Sequence, residues 1–407
     1  MAQRYVIVGN GVAGVTAART IAAADPGADI QMFSAEPYPY YSRPRLWEYL
    51  AGTIGLEDLY FYPPEWYERR GIHVHLGRAV ARLDLAHREV LLADGTAVPY
   101  DRLLLATGAR SFVPPIAGAD KKGVFTLRTI DDAQAMRAWA QAGCARAIAI
   151  GGGLLGLETA RALRLLGLEV TVVEMFPYLL PRQLDPQGAA VLATLIQEMG
   201  LSIVTGVTTE AILGQDRATG IRLKDGREIP GDLILISAGV RSEVGLAREA
   251  GLTVNRGTVV DAYLRTGADG VYAAGDAAEF QGVVYGIIPA AIEQARVAGA
   301  HMAGEAVEPY RGTVPSNTLK IVGIDLTSVG VVSPEGEGYR ELRWQDGAGR
   351  RYKKFVLRDG RLVGAILLGD KADAATVSQL IASGVDVSAH AHELLEEGFD
   401  LKALLNQ

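Results

Sequence analysis

Tyr5-Val6-Ile7-Val8 is a short unbroken apolar run, which predicts a buried strand. A glycine turn and an Ala-rich helical stretch come next, and apolar positions return toward Phe33. The same plan recurs over residues 146–174, where Val170-Thr171-Val172-Val173 predicts the closing strand. Each segment reads as a βαβ unit, the half-unit of a doubly wound sheet. Shorter strands with turn signals lie between them, such as Glu89-Val90-Leu91-Leu92 before Asp94-Gly95. Pro114-Pro115 marks a crossing between domains. Further on, the pattern predicts a strand from Asp232 to Ser237 with a glycine turn at Gly239, a strand and turn over Gly270–Asp276, and a helix beginning near Pro289. From about residue 312 the texture changes. Glu341–Trp344, Tyr352–Leu357 and Leu362–Leu368 alternate and are separated by Asp346-Gly347 and Asp359-Gly360, predicting an antiparallel meander and then short helices.

The expected fold class is therefore α/β: two Rossmann-like domains plus a small α+β C-terminal domain. Residues 1–111 with 241–311 form the first domain, 112–240 the inserted second, and 312–407 the third. A chain of 407 residues exceeds one ordinary core, which agrees with that division. The net charge of −7 argues against nucleic acid as the main partner. No apolar run reaches about 18 residues, so no membrane span is expected. The N-terminus enters a strand at once, without a cleavable leader pattern, and a cytoplasmic protein is expected. One cysteine, Cys144, excludes an internal disulfide and a C-x-x-C redox centre.

The motifs give these domains a chemistry. In Gly9-Asn10-Gly11-Val12-Ala13-Gly14, Gly9 permits the tight turn, Gly11 lets backbone approach a pyrophosphate at the helix N-terminus, and Gly14 lets helix and strand pack closely. The next strand ends in Phe33-Ser34-Ala35-Glu36, so Glu36 is the first choice for an adenosine ribose and Ser34 the alternative. The second motif is Gly151-Gly152-Gly153-Leu154-Leu155-Gly156-Leu157-Glu158, with Glu174 closing its strand. A carboxylate there accepts both ribose hydroxyls of NADH and repels the 2′-phosphate of NADPH. One such charge pair at about 4 Å costs on the order of 4 kcal/mol at an effective dielectric near 20. Arg182, downstream, is placed to soften that preference by meeting a phosphate.

Ala106-Thr107-Gly108 after Leu103-Leu104-Leu105, and Ala274-Gly275-Asp276, are ordinary turns when taken separately. In this order, with both glycine motifs, they resemble the glutathione-reductase-like flavoproteins, which bind two dinucleotides, over roughly residues 4–310. The resemblance implies FAD in the first site and NADH in the second. It places Asp276 on the flavin's sugar-alcohol chain and Thr107-Gly108 near the FAD. It sets Glu158 on the nicotinamide amide, and adds Ala13, Val80, Leu154, Leu155, Gly239 and Ile288 to the cofactor-binding residues. Tyr40–Leu50, Phe176–Pro181, Ile288–Gln294 and Ser316–Asp325 narrow the likeness to NADH–rubredoxin reductases and the large subunit of NADH-dependent nitrite reductase. The siroheme and iron–sulfur region of the latter is absent, so nitrite reduction by that route is not expected.

Two departures matter. Disulfide reductases carry C-x-x-x-x-C in the helix starting near Arg43, and peroxidase- and oxidase-type relatives carry one redox cysteine near Pro44; this chain has neither. Glu48 stands near the place of a lysine in related ferredoxin reductases, which leaves Arg43, Arg45 or Lys320 to stabilise reduced flavin. The expected activity is NADH-to-FAD hydride transfer, with electrons passing to a small acidic carrier such as rubredoxin. The alternatives are an NADH oxidase or diaphorase using oxygen or quinones, and a redox-sensing flavoprotein like apoptosis-inducing factor. A monomer or homodimer is expected, and no metal. His73-Val74-His75 and His390-Ala391-His392 read as ordinary strand and helix histidines. Trp47 reads as core, with a place lining the substrate face as its other reading. The Arg350, Arg351, Lys353, Lys354, Arg358, Arg361 cluster reads as a solvated hairpin edge, with docking of an acidic protein as its other reading.

Overall fold

The computed structural model describes every residue except Met1, Val314, Pro315, Val322, Glu397 and Gln407; for residues 316–321 and 406 it describes the backbone alone. The chain divides into two compact units. The first comprises Met1–Arg45, Ile54–Ser111 and Val240–Thr313; the second comprises Leu46–Thr53, Phe112–Gly239 and Val314–Gln407.

The first unit is built on a parallel five-stranded sheet. Its order is Val271–Ala273, Arg102–Leu105, Arg4–Val8, Asp29–Phe33, Ile72–His75. The apolar runs read from the sequence sit in the middle: Val6, Ile7, Leu103 and Leu104 are fully buried, as strands covered on both faces require. Helices Val12–Ala24 and Ile288–Met302 pack on each other. Gly299 permits this, because a Cβ there would lie 3.0 Å from the Ala17 carbonyl oxygen. Proline in the first turn of the second helix costs no hydrogen bond. From Arg4–Val8 the chain runs outward to Asp29–Phe33 and Ile72–His75 on one side, and later returns to Arg102–Leu105 on the other. Such a switch point opens a crevice at the carboxyl ends of the strands.

The second unit repeats the device. Its parallel sheet runs Leu201–Thr205, Glu169–Glu174, Arg146–Ile150, Leu233–Ile236, Val124–Phe125. The switch point lies between Arg146–Ile150 and Leu233–Ile236. The short helix Leu46–Ala51 belongs to this unit and packs on helices Ile130–Gln141 and Leu154–Leu165. Leu46 and Leu50, one turn apart, are its buried face. Tyr49 accepts a hydrogen bond from Gln134 at 3.1 Å.

The same unit carries an antiparallel sheet in the order Ser316–Ile321, Ile324–Gly330, Arg361–Leu368, Tyr352–Arg358, Tyr339–Gln345. The expected meander supplies three of these strands. The other two, Ser316–Ile321 and Ile324–Gly330, overlap the Ser316–Asp325 stretch, which the sequence offered as a motif rather than as strands. Helix Ala374–Ser383 covers one face through Val377 and Leu380, against Phe355, Leu357, Leu362 and Leu367. No helix among the described residues is long and apolar enough to cross a membrane.

Candidate functional site

Each glycine turn sits at a switch point, and the geometry fixes what each glycine does. Gly9 has φ +118°, and a Cβ on it would collide with the Ala106 carbonyl at the end of the neighbouring strand. Gly151 has φ +116° and stands in the same relation to Ser237. A Cβ on Gly14 or Gly156 would strike the carbonyl of Gly9 or Gly151 respectively. The middle glycines differ in kind. Around a Cβ on Gly11 or Gly153 there is nothing within 4 Å. Both are N-cap residues in extended backbone, and neither caps its helix with a side chain. The backbone there is open to close approach, and the first-turn amides, capped by no side chain, suit an anionic group at the positive end of a helix. In the first turn the Asn10 side chain is also buried with neither its oxygen nor its nitrogen bonded. A buried amide of this kind is completed by a ligand or an ordered water. The residues thus fit a dinucleotide pyrophosphate at both turns.

Around the first turn, the carboxylate of Glu36 accepts from Tyr41 Oη at 2.6 Å and from Arg43 Nη2 at 2.5 Å. Arg43 Nη1 donates to Tyr41 Oη at 2.7 Å. Burial opposes the Arg43 charge, but Tyr41, Glu36 and Asp276 outweigh it and raise its pKa. Ser34 Oγ donates to the Glu36 carbonyl at 3.1 Å, so Ser34 and Glu36, the two ribose candidates, are tied together. Asp276 lies in the 3-10 turn Gly275–Ala277, where Ala13 abuts Gly275 and the Gly275 amide donates to buried Gln294 at 2.9 Å. Thr107 Oγ1 donates to the Glu243 carbonyl at 2.6 Å, which fixes the Ala106-Thr107-Gly108 turn. Val80 opens strand Val80–Asp84, next to the Arg78 amide that donates to Ser34. Ile288 heads its helix with an exposed side chain. Tyr41 is the residue sequence reasoning missed; its signal was its place two residues before Arg43 in the quoted motif.

At the second turn Glu174 is buried, at 6% exposure. One carboxylate oxygen accepts from the Gly152 amide at 2.7 Å and the other from the Phe176 amide at 2.9 Å. These two bonds shape the turn. Leu154, Leu155 and Glu158 lie on the first turns of the helix, and exposed Gly239 (φ +95°) comes after the strand that leads to Ser237. Arg182 is exposed in the loop whose Leu180 amide donates to the Gly152 carbonyl at 3.3 Å. Burial, and then the charge of Glu48 on the adjoining short helix, push the Glu158 carboxyl up to about 8. Arg45 of the first unit donates to the Asp58 carbonyl at 2.9 Å. Lys320 stands on the edge strand opposite Asp325, and its side chain lies outside the described residues.

Two motifs look different in three dimensions. The basic cluster is a solvated edge only in part: Arg350, Arg358 and Arg361 are exposed, and other members are not. Lys354 is 2% exposed, with its Nζ 2.8 Å from the Val332 carbonyl, 3.0 Å from Glu341 and 3.3 Å from Asp185. Lys353 pairs with Asp373, Arg350 with Glu198 and Arg351 with Asp346. Asp185, which also accepts from Tyr352 Oη at 2.8 Å, caps helix Pro186–Glu198. The hydrogen bonds from Gly188 and Tyr352 and the charge of Lys354 overcome burial and hold its carboxyl below the usual range. Among the histidines, His75 stacks on Phe33 at 4.6 Å and bonds Gln31, while His390 pairs with Glu393.

The sequence profile of the pyridine nucleotide-disulphide oxidoreductases matches residues 3–301, nearly three quarters of the chain. The chain belongs to that family. As a member it is a flavoprotein oxidoreductase with FAD and NADH as cofactors. Residues 315–385 match the C-terminal domain of rubredoxin NAD+ reductase. The chain is 39% identical to a nitrite reductase [NAD(P)H] of Bacillus subtilis over 95% of its own length and 48% of that protein, so it spans about half of that relative. It is 32% identical to the ferredoxin–NAD(+) reductase component of the Paraburkholderia xenovorans biphenyl dioxygenase system, over 100% of this chain and 99% of that one. A crystal structure of a Rhodopseudomonas palustris ferredoxin reductase matches 98% of this chain and 99% of its own, with a TM-score of 0.88 at 30% identity. These findings agree with the expected likeness to rubredoxin reductases and to the nitrite reductase large subunit, and with the α/β class.

Proposed function

We propose that the protein is an NADH-dependent reductase of a small one-electron carrier protein of the rubredoxin or ferredoxin type. One observation carries the reading. Cys144, the one thiol in the chain, sits beyond helix Ile130–Gln141 and donates to the Trp139 carbonyl at 3.2 Å. Burial, and then Asp232, raise its pKa, so it is a poor nucleophile. The position near Pro44, where thiol-dependent relatives carry a redox cysteine, has none. No thiol in this chain can relay an electron pair to a disulfide or peroxide, although the family takes its name from disulfides.

FAD, when bound, supplies the exchange between two-electron and one-electron chemistry. The protein supplies position and charge. The Gly9–Gly14 turn and Asn10 hold the FAD pyrophosphate, Glu36 and Ser34 its adenosine end, Asp276 its sugar-alcohol chain, and Arg43 a half-buried positive charge. The Gly151–Gly156 turn holds the NADH pyrophosphate, and Glu174 the ribose. The C-terminal likeness to rubredoxin reductase and the full-length likeness to ferredoxin reductases favour a protein acceptor.

The test is anaerobic stopped-flow reoxidation of the NADH-reduced holoenzyme by rubredoxin, a [2Fe–2S] ferredoxin, oxygen and a quinone. Reoxidation by one of the two iron proteins at least ten times faster than by oxygen is the expected result. An oxygen or quinone rate that matches or exceeds the carriers would replace the reading with an oxidase or diaphorase. A reduced state that none of them reoxidises, with a changed oligomeric state, would replace it with a redox sensor.

A further inference from the structure

Gln294, on helix Ile288–Met302, is 1% exposed, and one end of its amide is committed. Its Oε1 accepts from the Gly275 amide at 2.9 Å, in the turn that carries Asp276. The amide nitrogen is left to donate on its other side, where the Tyr310 hydroxyl lies. Tyr310 is itself buried and held. Its ring centroid is 5.0 Å from Phe280 and 6.0 Å from Tyr285, and its backbone amide donates to the Ala262 carbonyl at 2.8 Å. Its hydroxyl is 2.7 Å from Thr313 Oγ1, which donates in turn to Glu293 Oε2 at 2.5 Å. A hydroxyl has one proton to give. With the Thr313 proton on Glu293, Thr313 accepts from Tyr310, and Tyr310 accepts from Gln294 and from the Tyr285 hydroxyl beside it. The donors thus run one way, from the Gly275 amide to the exposed carboxylate of Glu293. Tyr310 and Thr313 belong to neither family profile, since the first ends at residue 301 and the second begins at 315.

Gly275 has φ +75° and is buried, so its amide has to find a partner inside the protein. Without the Gln294 oxygen the turn would have to shift to satisfy that amide, and Asp276 is the next residue. A one-way chain of hydrogen bonds also fixes which end of the Gln294 amide faces the turn, and its members strengthen one another. We propose that Gln294 is a positioning residue for the sugar-alcohol chain of FAD: it sets the Gly275–Ala277 turn that carries Asp276, and Tyr310, Thr313 and Glu293 hold its amide in the required orientation. The inference rests on the reading that the Gly9–Gly14 turn holds FAD with Asp276 on its sugar-alcohol chain. The segment that leads from helix Ile288–Met302 toward residue 315 then completes the flavin site as well as connecting two parts of the chain.

The test is FAD binding to the deflavinated protein, followed by flavin fluorescence. Gln294→Met keeps the side-chain volume and removes both polar atoms, so it should weaken FAD by about ten-fold. Thr313 is half-buried and outside the apolar core, so its variants separate the chain from the fold. Thr313→Val should weaken FAD by about three-fold, whereas Thr313→Ser, which keeps the hydroxyl, should bind like the parent. ADP has the pyrophosphate but no sugar-alcohol chain, and it should compete with FAD equally well in every variant. In an Asp276→Ala background, Gln294→Met and Thr313→Val should each cost less than about two-fold more, because they act through Asp276. Losses that stay at full size in that background would overturn the proposal. So would parental FAD binding in Gln294→Met or Thr313→Val, a Thr313→Ser variant as weak as Thr313→Val, or weaker competition by ADP. If Gln294→Met does not fold, the Thr313 pair and its coupling to Asp276 decide. Asp276→Ala alone tests the underlying reading. If it leaves FAD binding unchanged, Asp276 does not hold the sugar-alcohol chain; if it weakens FAD while the Gln294 and Thr313 variants do not, the positioning role alone is refuted.

Discussion

Gly11→Asp should uncouple FAD binding from folding. A Cβ at Gly11 meets nothing within 4 Å, and its φ of −100° and ψ of −169° suit any residue. The helix it precedes has no side-chain cap, so aspartate gives Val12–Ala24 an N-cap it lacks. Aspartate exceeds glycine there by a few tenths of a kcal/mol. The apoprotein should therefore melt within about 2 °C of the parent. The same carboxylate occupies the space proposed for the pyrophosphate. One like-charge pair at about 4 Å costs on the order of 4 kcal/mol at an effective dielectric near 20, or about a thousand-fold in Kd. Gly11→Asn separates charge from volume: it caps equally well and adds no charge, so it should bind FAD appreciably more tightly than the aspartate variant. Fluorescence titration of deflavinated protein gives the Kd, and circular dichroism the melting. An aspartate variant within ten-fold of the parent would show that the pyrophosphate does not lie on this turn.

The remaining outcomes concern contacts in the second unit. Glu174→Ala should weaken NADH and NADPH together rather than only narrow the preference for NADH, because it strips partners from the Gly152 and Phe176 amides at about 1–3 kcal/mol each; steady-state kinetics with an artificial acceptor measures it, and unchanged NADPH kinetics would refute the clamp. Lys354→Met should cost about 3–5 kcal/mol in urea unfolding, because Asp185 and Glu341 lose a buried partner, whereas Lys353→Met should cost under about 1 kcal/mol. With its cations paired, the 350–358 segment should not steer an acidic carrier, so Arg350→Gln should leave the salt dependence of carrier reduction unchanged. Cys144→Ser should keep near-parental turnover with ferricyanide, and a collapse there would revive a thiol relay.

The features legible in the sequence were those that depend on close approach. Gly9, Gly14, Gly151 and Gly156 are fixed by carbonyls a few residues or one strand away, and the spacing of small residues announces that. The apolar runs at the centre of the parallel sheets were equally plain, because strands covered on both faces read as near-continuous apolar runs, whereas Asp29–Phe33 and Ile72–His75, toward the edge, carry Gln31, His73 and His75. Charge pairing was not legible. Lys354 looks like a surface lysine among arginines, and its partner Asp185 is far away in sequence. Nor does the sequence announce that the six-residue helix carrying Glu48 packs on the second turn's helix, which carries Glu158. The sequence offers Glu174 as a ribose ligand, but not its bonds to Gly152 and Phe176, which depend on how the loop after it folds back.

The Asp185–Tyr352–Lys354 contact bears on how this chain can be dissected. The family profiles end at residue 301 and resume at 315, which invites a cut between them. A fragment cut there would retain Asp185 without Tyr352 and Lys354, and leave the cap of helix Pro186–Glu198 beside an uncovered apolar face. The C-terminal piece would carry a buried ammonium with one of its carboxylates missing. Expressed apart, the two halves should be insoluble or recover only when co-expressed. A gene fusion or chimera that exchanges the C-terminal sheet has to bring an acceptable partner for Asp185 with it.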